Sequence, residues 1–174
     1  MLHEEDRGLL LNLTGDGKGK STSAFGIAVR ALGWNWRVAI LQFLKGDRPT
    51  GERNFFTTNF PEVIFEDWGL GLTNHPGDHA GAARRGWERA KELLAGFRGE
   101  LLILDELNVA LRNGYLVCDE VVESIVNRRC KLNVIVTGRG APPELVAVSD
   151  LVSEVREIRH PFRNGVPAQK GIDY

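Results

Sequence analysis

A short loop near the start of the chain, residues 14–22 (TGDGKGKST), combines glycine, lysine and hydroxyl residues in an order suited to phosphate. Glycines let successive backbone N–H groups face one anion, and a helix starting directly after the loop adds partial positive charge. Lys20 supplies a full charge, Lys18 a second one, and the Ser21 hydroxyl can bind Mg²⁺ beside the phosphate oxygens. Thr14 stands where the pattern GxxxxGK[ST] has its first glycine. We predict a P-loop that binds ATP through Gly15, Asp16, Gly17, Lys18, Gly19, Lys20, Ser21 and Thr22.

A glycine-rich turn without any ligand is the alternative for this loop. An apolar run, residues 9–14, precedes the loop, and a segment of helical character, residues 23–32, follows it. Because a P-loop occurs between a strand and a helix, this context favours the phosphate site.

A second chemical pattern is the apolar run at residues 101–106 (LLILDE), which ends in two acidic residues. Carboxylates at the end of a buried strand can reach a metal from the side opposite Ser21, directly or through water. A buried strand followed by a helix-capping aspartate is the alternative. The P-loop earlier in the chain makes the metal-binding interpretation the stronger one.

The elements that position these residues alternate along the chain. Short apolar runs, which we predict as β-strands, alternate with segments of helical period, a pattern typical of a mainly parallel sheet with helices on both faces. The predicted fold class is therefore α/β, of the P-loop NTPase (RecA-like) type, in a single domain over residues 1–174. The predicted strands are residues 9–14, 37–43, 62–66, 101–104, 132–137 and 151–158.

Helical spacing is clearest at residues 77–97, where small and apolar residues recur three or four apart. A second helix is predicted over residues 23–32 and a third over residues 119–128. Two segments rich in glycine and charged residues, 45–54 and 67–77, are predicted to be loops. Loops that follow strands of a parallel sheet are where such folds bind ligands.

Composition excludes several classes of function. The 22 basic and 23 acidic residues give a net charge of −1, so the sequence predicts no nucleic-acid partner. No apolar run approaches the roughly 20 residues of a membrane span, and the first residues are acidic, unlike a secretory signal. We expect a cytoplasmic protein without a membrane partner, in which Cys118 and Cys130 are reduced bystanders.

A P-loop alone does not distinguish kinases, ATPases and other group transferases. Arg30, Lys45, Arg53 and Arg139 could each stabilise a developing phosphoryl charge, but no motif supplies a base to orient a nucleophile. An ordinary ATPase or phosphoryl-transfer enzyme stays the alternative at this point.

Several longer strings resemble the P-loop-type ATP:corrinoid adenosyltransferases. In chain order they are TGDGKGKS (14–21), QFLKG (42–46) with GERN (51–54), LDEL (104–107), TGRG (137–140), SEV (153–155), HPF (160–162) and GVPAQKGIDY (165–174). The match covers nearly the whole chain, and it is more specific than the P-loop by itself.

The resemblance implies a reaction in which Co(I) of a corrinoid attacks the ribose C5′ of ATP and expels triphosphate. It also implies that the triphosphate lies reversed in the P-loop. Lys20 and Glu106 would be catalytic, Ser21 and Glu106 would bind Mg²⁺ with Asp105 behind them, and Arg30 would support the nucleotide. Family members are homodimers that receive electrons from a separate flavoprotein reductase.

The corrinoid side of the predicted site departs from the family pattern. Relatives often have aromatic residues after the third strand, where this chain has the leucines Leu70 and Leu72. These leucines would offer an apolar wall instead. We expect the corrinoid to contact Trp68, Leu70, Leu72 and Arg139.

Overall fold

The computed structural model describes residues 7–44, 46, 49–71 and 76–174. Its strands form one sheet in the order β3-β2-β4-β5-β1-β6, and every neighbouring pair is parallel. The strands are β1 (Leu10–Thr14), β2 (Val38–Gln42), β3 (Ile64–Asp67), β4 (Leu101–Asp105), β5 (Asn133–Thr137) and β6 (Leu151–Glu154). The all-parallel sheet confirms the predicted α/β class.

Helices cover both faces of the sheet, as predicted. They are α1 (Lys20–Gly33), α2 (Gly51–Asn59), α3 (His79–Gly96), α4 (Leu107–Arg112), α5 (Cys118–Val126) and α6 (Pro143–Ala147), with a short 3₁₀ helix at Pro161–Asn164. One apolar core joins α3, α4, α5 and α6 to the sheet, and a second joins α1 and α2 to its other face. Strands β2 and β4, inside the sheet, are buried along their full length.

The predicted strands agree with the observed ones except at the chain's last strand. The prediction ran to residue 158, but β6 ends at Glu154 and is exposed at every residue. Beyond it, Val155 donates its N–H to Thr14 and accepts the N–H of Gly17, so the chain follows the P-loop instead of the sheet.

Helix α2 is the largest difference from the predicted elements. It begins at Gly51, inside the segment 45–54 that was predicted to be a loop. The side chain of Thr50 caps it by accepting the N–H of Arg53 at 3.2 Å, and Phe56 anchors it in the second core.

Within the described part of the chain, no helix is long and apolar enough to cross a membrane.

Candidate active site

The P-loop, residues 14–22, connects β1 to α1. Its glycines let the backbone form a concave surface, which we call the cradle. Gly15 and Gly19 have φ angles of 94° and 117°, in the left-handed region that favours glycine. The N–H of Gly17 donates to the carbonyl of Val155 at 2.7 Å. A Cβ atom added at Gly17 would lie 2.7 Å from the backbone of Arg156, so glycine is required there for packing. The P-loop therefore packs against the segment that follows β6.

Lys20 lies at the first position of α1 with its ammonium group drawn into the loop. The residue is only 6% exposed, and its Nζ donates to the carbonyl of Gly17 at 2.6 Å. Burial lowers the pKa of Lys20, with Glu106 opposing that effect and Arg139 adding to it. Lys20 is therefore a mostly buried cation at the edge of the P-loop, and its ammonium group lines the same cavity as Ser21 and Glu106.

The cradle opens into a polar cavity of about 270 Å³ at the carboxyl end of the sheet. Its walls come from the P-loop, α2, the loops after β4 and β5, and the C-terminal segment. The lining residues are Gly17, Lys18, Gly19, Lys20, Ser21, Thr22, Glu52, Glu106, Arg139, His160, Ile172 and Asp173. The structure thus brings most of the predicted phosphate and metal residues to one cavity.

Asp105 and Glu106 are adjacent in sequence but differ in environment. Asp105 is fully buried, and its carboxylate accepts hydrogen bonds from Gln42 at 2.8 Å and from the hydroxyl of Thr137 at 2.7 Å. The same hydroxyl accepts the N–H of Glu106 at 2.9 Å. Glu106 has a φ of 64° and faces the cavity at the start of α4. Asp105 therefore fixes the turn from which Glu106 extends.

The residues present suit a magnesium ion carried in by ATP. Among the described residues, no group of three or more His, Cys, Asp or Glu side chains could hold a metal alone. Mg²⁺ in nucleotide sites is held by one or two protein ligands together with phosphate oxygens and water. Ser21 and Glu106 line the same cavity and could supply those protein ligands.

An apolar cleft of about 400 Å³ adjoins the phosphate cavity between α1, α2 and the end of the chain. Thr22, Glu52 and Ile172 line both spaces. The remaining lining residues are mostly aromatic, aliphatic or glycine: Phe25, Gly26, Val29, Gly51, Phe55, Phe56, Gly171 and Tyr174. The cleft can accept a flat apolar group attached to whatever occupies the cradle.

The loops after β2 and β3 are held against each other by one carboxylate. The Oδ1 atom of Asp67 accepts the backbone N–H of Gly46 at 3.2 Å and that of Gly69 at 3.0 Å. Arg53 lies 3.8 Å from the other oxygen of Asp67. A Cβ on Gly69 would lie 2.3 Å from the backbone of Leu44, so the two loops touch directly.

The predicted corrinoid residues are distributed along this edge of the sheet. Trp68 is half-buried, packs against the core, and donates its indole N–H to Glu66 at 3.2 Å. Leu70 is 48% exposed, whereas Leu72 lies outside the described residues. Arg139 lines the phosphate cavity and also a neighbouring cavity with His160, Phe162 and Arg163.

Two predicted nucleotide residues stand apart from the cradle. Asp16 lies in the loop but is exposed and does not line the cavity. Arg30 is exposed in the last turn of α1, about 15 Å along the helix axis from Lys20. Arg30 therefore lies away from the P-loop, and its predicted role toward the nucleotide stays a prediction.

Sequence reasoning missed several residues that line or support the cavity. Thr137 and Gln42 belong to strings quoted for the family resemblance, but their bonds to Asp105 depend on which strands are neighbours. Asp173 and Ile172 come from the closing string GVPAQKGIDY, whose match to the family ending was the available signal.

Comparison with known proteins supports one family over nearly the entire chain. Residues 6–174 match the family model described as ATP:corrinoid adenosyltransferase BtuR/CobO/CobP. A corrinoid adenosyltransferase of Pseudomonas aeruginosa is 42% identical over 173 residues, covering 98% of this chain and 85% of the relative. A corrinoid adenosyltransferase of Escherichia coli K12 is 41% identical over 175 residues, covering 98% of this chain and 88% of the relative.

A solved structure supports the fold alone. The flagellar accessory protein FlaH from Methanocaldococcus jannaschii superposes with a TM-score of 0.60 at 14% identity, covering 86% of this chain and 71% of that one. The family match and the near-full-length relatives carry the assignment: this chain belongs to the ATP:corrinoid adenosyltransferase family.

Proposed function

We propose that this protein transfers the 5′-deoxyadenosyl group of MgATP to Co(I) of a reduced corrinoid, such as cobalamin or a precursor, and releases triphosphate. The observation that carries the proposal is the family match over residues 6–174, which coincides with a P-loop cavity containing Lys20 and Glu106. The cavity by itself would serve an ATPase equally well, so the family match is what favours adenosyl transfer over ATP hydrolysis.

The reaction needs orientation and charge stabilisation more than acid–base catalysis. An electron pair of Co(I) forms the bond to C5′, and the C5′–O bond breaks with its electrons passing to the triphosphate oxygen. Cobalt is thereby oxidised to Co(III), and no proton has to move. Because no proton has to move, the reaction requires no general base, and a buried cation can supply the charge stabilisation that it does require.

The leaving triphosphate gains negative charge where the chain concentrates positive charge. The Lys20 ammonium lines the cavity beside the N-terminus of α1, and both would face the triphosphate in the proposed complex. Because Lys20 is desolvated before the nucleotide arrives, its charge acts with little reorganisation. Mg²⁺ would supply further neutralisation, bound through Ser21 and Glu106 while Asp105 and Thr137 keep Glu106 in place.

The apolar cleft beside the P-loop is the proposed site of the adenosine. Thr22 marks its junction with the phosphate cavity, and Phe25, Phe55 and Tyr174 offer flat apolar surface to a purine. The corrinoid would then approach the carboxyl edge of the sheet between Leu70, after β3, and Arg139, after β5. With two strands between them, these loops lie about 14 Å apart, a gap that a macrocycle can bridge.

The partners follow from the reaction and the family. We propose a cytoplasmic homodimer that receives its Co(I) corrinoid through reduction by a separate flavoprotein. Balanced charge and the absence of a spanning helix among the described residues are compatible with this setting.

The test is an anaerobic reaction of the protein with MgATP and chemically reduced Co(I) cobalamin. We expect the spectrum of a light-sensitive alkylated corrinoid and one triphosphate for each corrinoid converted. Production of ADP with unchanged corrinoid would instead indicate an ordinary phosphoryl-transfer enzyme. For lysine substitutions tested in this assay, Lys91→Ala is the control for non-specific loss of a charge, because it removes an exposed lysine on α3.

A further inference from the structure

The C-terminal segment, residues 151–174, contacts the P-loop on two sides. Behind the loop, the backbone N–H of Gly17 donates to Val155 at 2.7 Å, and Gly15 packs closely against the same segment. In front of the loop, Asp173 and Ile172 line the phosphate cavity. The chain therefore returns to the cradle after passing through the 3₁₀ helix at residues 161–164.

The contact in front is an ion pair between Lys18 and Asp173. The Lys18 side chain is 48% exposed, whereas that of Asp173 is 16% exposed. The second oxygen of Asp173 accepts the backbone N–H of Gln169 at 2.7 Å, which fixes the carboxylate within a turn of the chain end. The carboxylate is thus held in place and lies against a cation of the P-loop.

The negative charge of Asp173 would repel a phosphate group bound in the cavity that this residue lines. The cavity contains the cations Lys18, Lys20 and Arg139 and the anions Glu52, Glu106 and Asp173. Glu106 has a metal ion to bind in the proposed reaction. Asp173 has no comparable role, since its partner is a lysine that the triphosphate would otherwise engage. A carboxylate and a phosphate oxygen compete for one ammonium group.

We propose that Asp173 is an intramolecular competitor of the triphosphate for Lys18, and that its return to Lys18 promotes release of the triphosphate product. This inference rests on the proposed function, because it assigns a step to triphosphate as the leaving group. Asp173 acts through Lys18 and is a positioning residue. No bond is made or broken in the exchange; one anionic partner of the lysine replaces another.

The competition affects binding and turnover in opposite ways. Removing the charge of Asp173 frees Lys18 for phosphate, so triphosphate and MgATP bind more tightly. Tighter product binding slows turnover once release limits the rate, while a single turnover, which ends before release, is not slowed. The signature is a fall in both KM for MgATP and kcat, which simple damage to the site would not produce.

The experiment measures binding of inorganic tripolyphosphate to the whole protein by calorimetry, comparing wild type with Asp173→Asn. Asparagine keeps an oxygen that can accept the Gln169 N–H, so the turn is preserved. Because the pair is partly exposed, we expect Kd to fall about two- to fivefold in the variant. Steady-state assays should show stronger inhibition by triphosphate, while the single-turnover rate should not fall.

Two further variants separate the proposed route from general charge effects. Glu88→Gln removes one negative charge from an exposed position on α3 and should leave Kd unchanged. In a Lys18→Gln background, Asp173→Asn should give little or no gain in tripolyphosphate affinity, because the ammonium group for which the two anions compete is absent. Thermal unfolding of every variant checks that the fold is retained.

Unchanged or weaker tripolyphosphate binding in Asp173→Asn would overturn the inference, as would an equal gain with and without Lys18. Failure of wild type to bind tripolyphosphate would also overturn it. The proposed function fails by a different measurement, the formation of ADP in place of an alkylated corrinoid. The two results can therefore be distinguished.

Discussion

The carboxyl edge of the sheet has two halves that are held in different ways. On the phosphate half, Lys20 is buried against the backbone of its own loop, and Asp105 is buried within hydrogen bonds from two neighbouring strands. On the other half, the loops after β2 and β3 meet through Asp67 and close glycine contacts, with Leu70 exposed beyond them. The first half fixes charges before the ligand arrives, whereas the second offers apolar surface. The difference matches the two substrates, a polyanion and a large macrocycle.

Lys20→Ala is the strongest test of the phosphate half. Loss of the desolvated cation removes stabilisation that grows as the triphosphate leaves, so we expect kcat/KM for adenosyl transfer to fall about 10³-fold. The measurement is the rate of alkylated corrinoid formation under saturating Co(I) corrinoid. Retention of full activity would show that charge preorganisation is not what this half provides.

The pH dependence of tripolyphosphate binding tests the same lysine without removing it. Burial lowers the pKa of Lys20 from 10.5, so the free protein loses this charge at a lower pH than an exposed lysine would. Above that lowered pKa, affinity should fall by up to about tenfold per pH unit, until the pKa of the bound state is reached. Lys20→Arg stays charged and should flatten this decline relative to wild type. An identical decline in both proteins would contradict the assignment to Lys20.

Thr137→Val tests the network that supports Glu106. The substitution keeps the shape of the side chain but removes the donor to Asp105 and the acceptor of the Glu106 N–H. We expect a loss of about 1–3 kcal/mol in the free energy of unfolding. The apparent affinity for Mg²⁺, measured as the concentration that gives half-maximal activity, should be roughly tenfold weaker. Denaturant unfolding and a magnesium titration measure the two effects.

Thr137→Ser is the matched rescue for that prediction. It retains the hydroxyl and loses only a methyl group, so magnesium dependence should stay near that of wild type. If serine behaves like valine, the hydrogen bonds of the hydroxyl do not by themselves explain the effect.

Asp67→Ala addresses the second half of the edge. Without this carboxylate, the N–H groups of Gly46 and Gly69 lose their shared acceptor, and the two loops separate more readily. We expect KM for the corrinoid to rise about fivefold, in line with the loss of one or two ordinary hydrogen bonds. Tripolyphosphate affinity should be unchanged, and a parallel loss there would show that the halves are not independent.

Leu70→Ala should have the smallest effect of the set. The leucine is 48% exposed, so its truncation costs little stability but removes apolar surface from the proposed corrinoid contact. KM for the corrinoid should rise about two- to threefold. Leu9→Ala is the control, because Leu9 is 47% exposed and precedes β1 at the opposite end of the sheet.

The sequence was sufficient for the features that depend on local pattern. Five of the six strands were located within two residues at each end, because β2, β4 and their neighbours are short apolar runs bounded by polar ones. The P-loop was also recognisable, since its glycines and Lys20 act within one loop. Helix α2 was missed because Gly51 and the charged residues after it suggest a loop, and its anchor, Phe56, shows its role only once the second core exists.

The supporting parts of the site depend on contacts between distant segments. Thr137 reaches Asp105 because β5 lies beside β4, and nothing in either string specifies that neighbour. Likewise, Asp173 meets Lys18 only after the chain has crossed behind the P-loop and returned. Arg30 is the converse case, because its role was carried over from a resemblance, and its place in the last turn of α1 neither supplies nor excludes a contact with the nucleotide.

The position of β1 between β5 and β6 has a consequence for how the chain folds. The N–H of Leu10 bonds to Asp150, 140 residues further along the chain, and both neighbours of β1 in the described sheet, β5 and β6, come later in the sequence. Contacts of such high sequence separation close slowly and late. During synthesis the phosphate loop is made before β5, β6 and the segment after β6, all of which support β1 or the loop in the folded chain. A chain arrested before β6 would therefore expose one flank of β1 to misassembly.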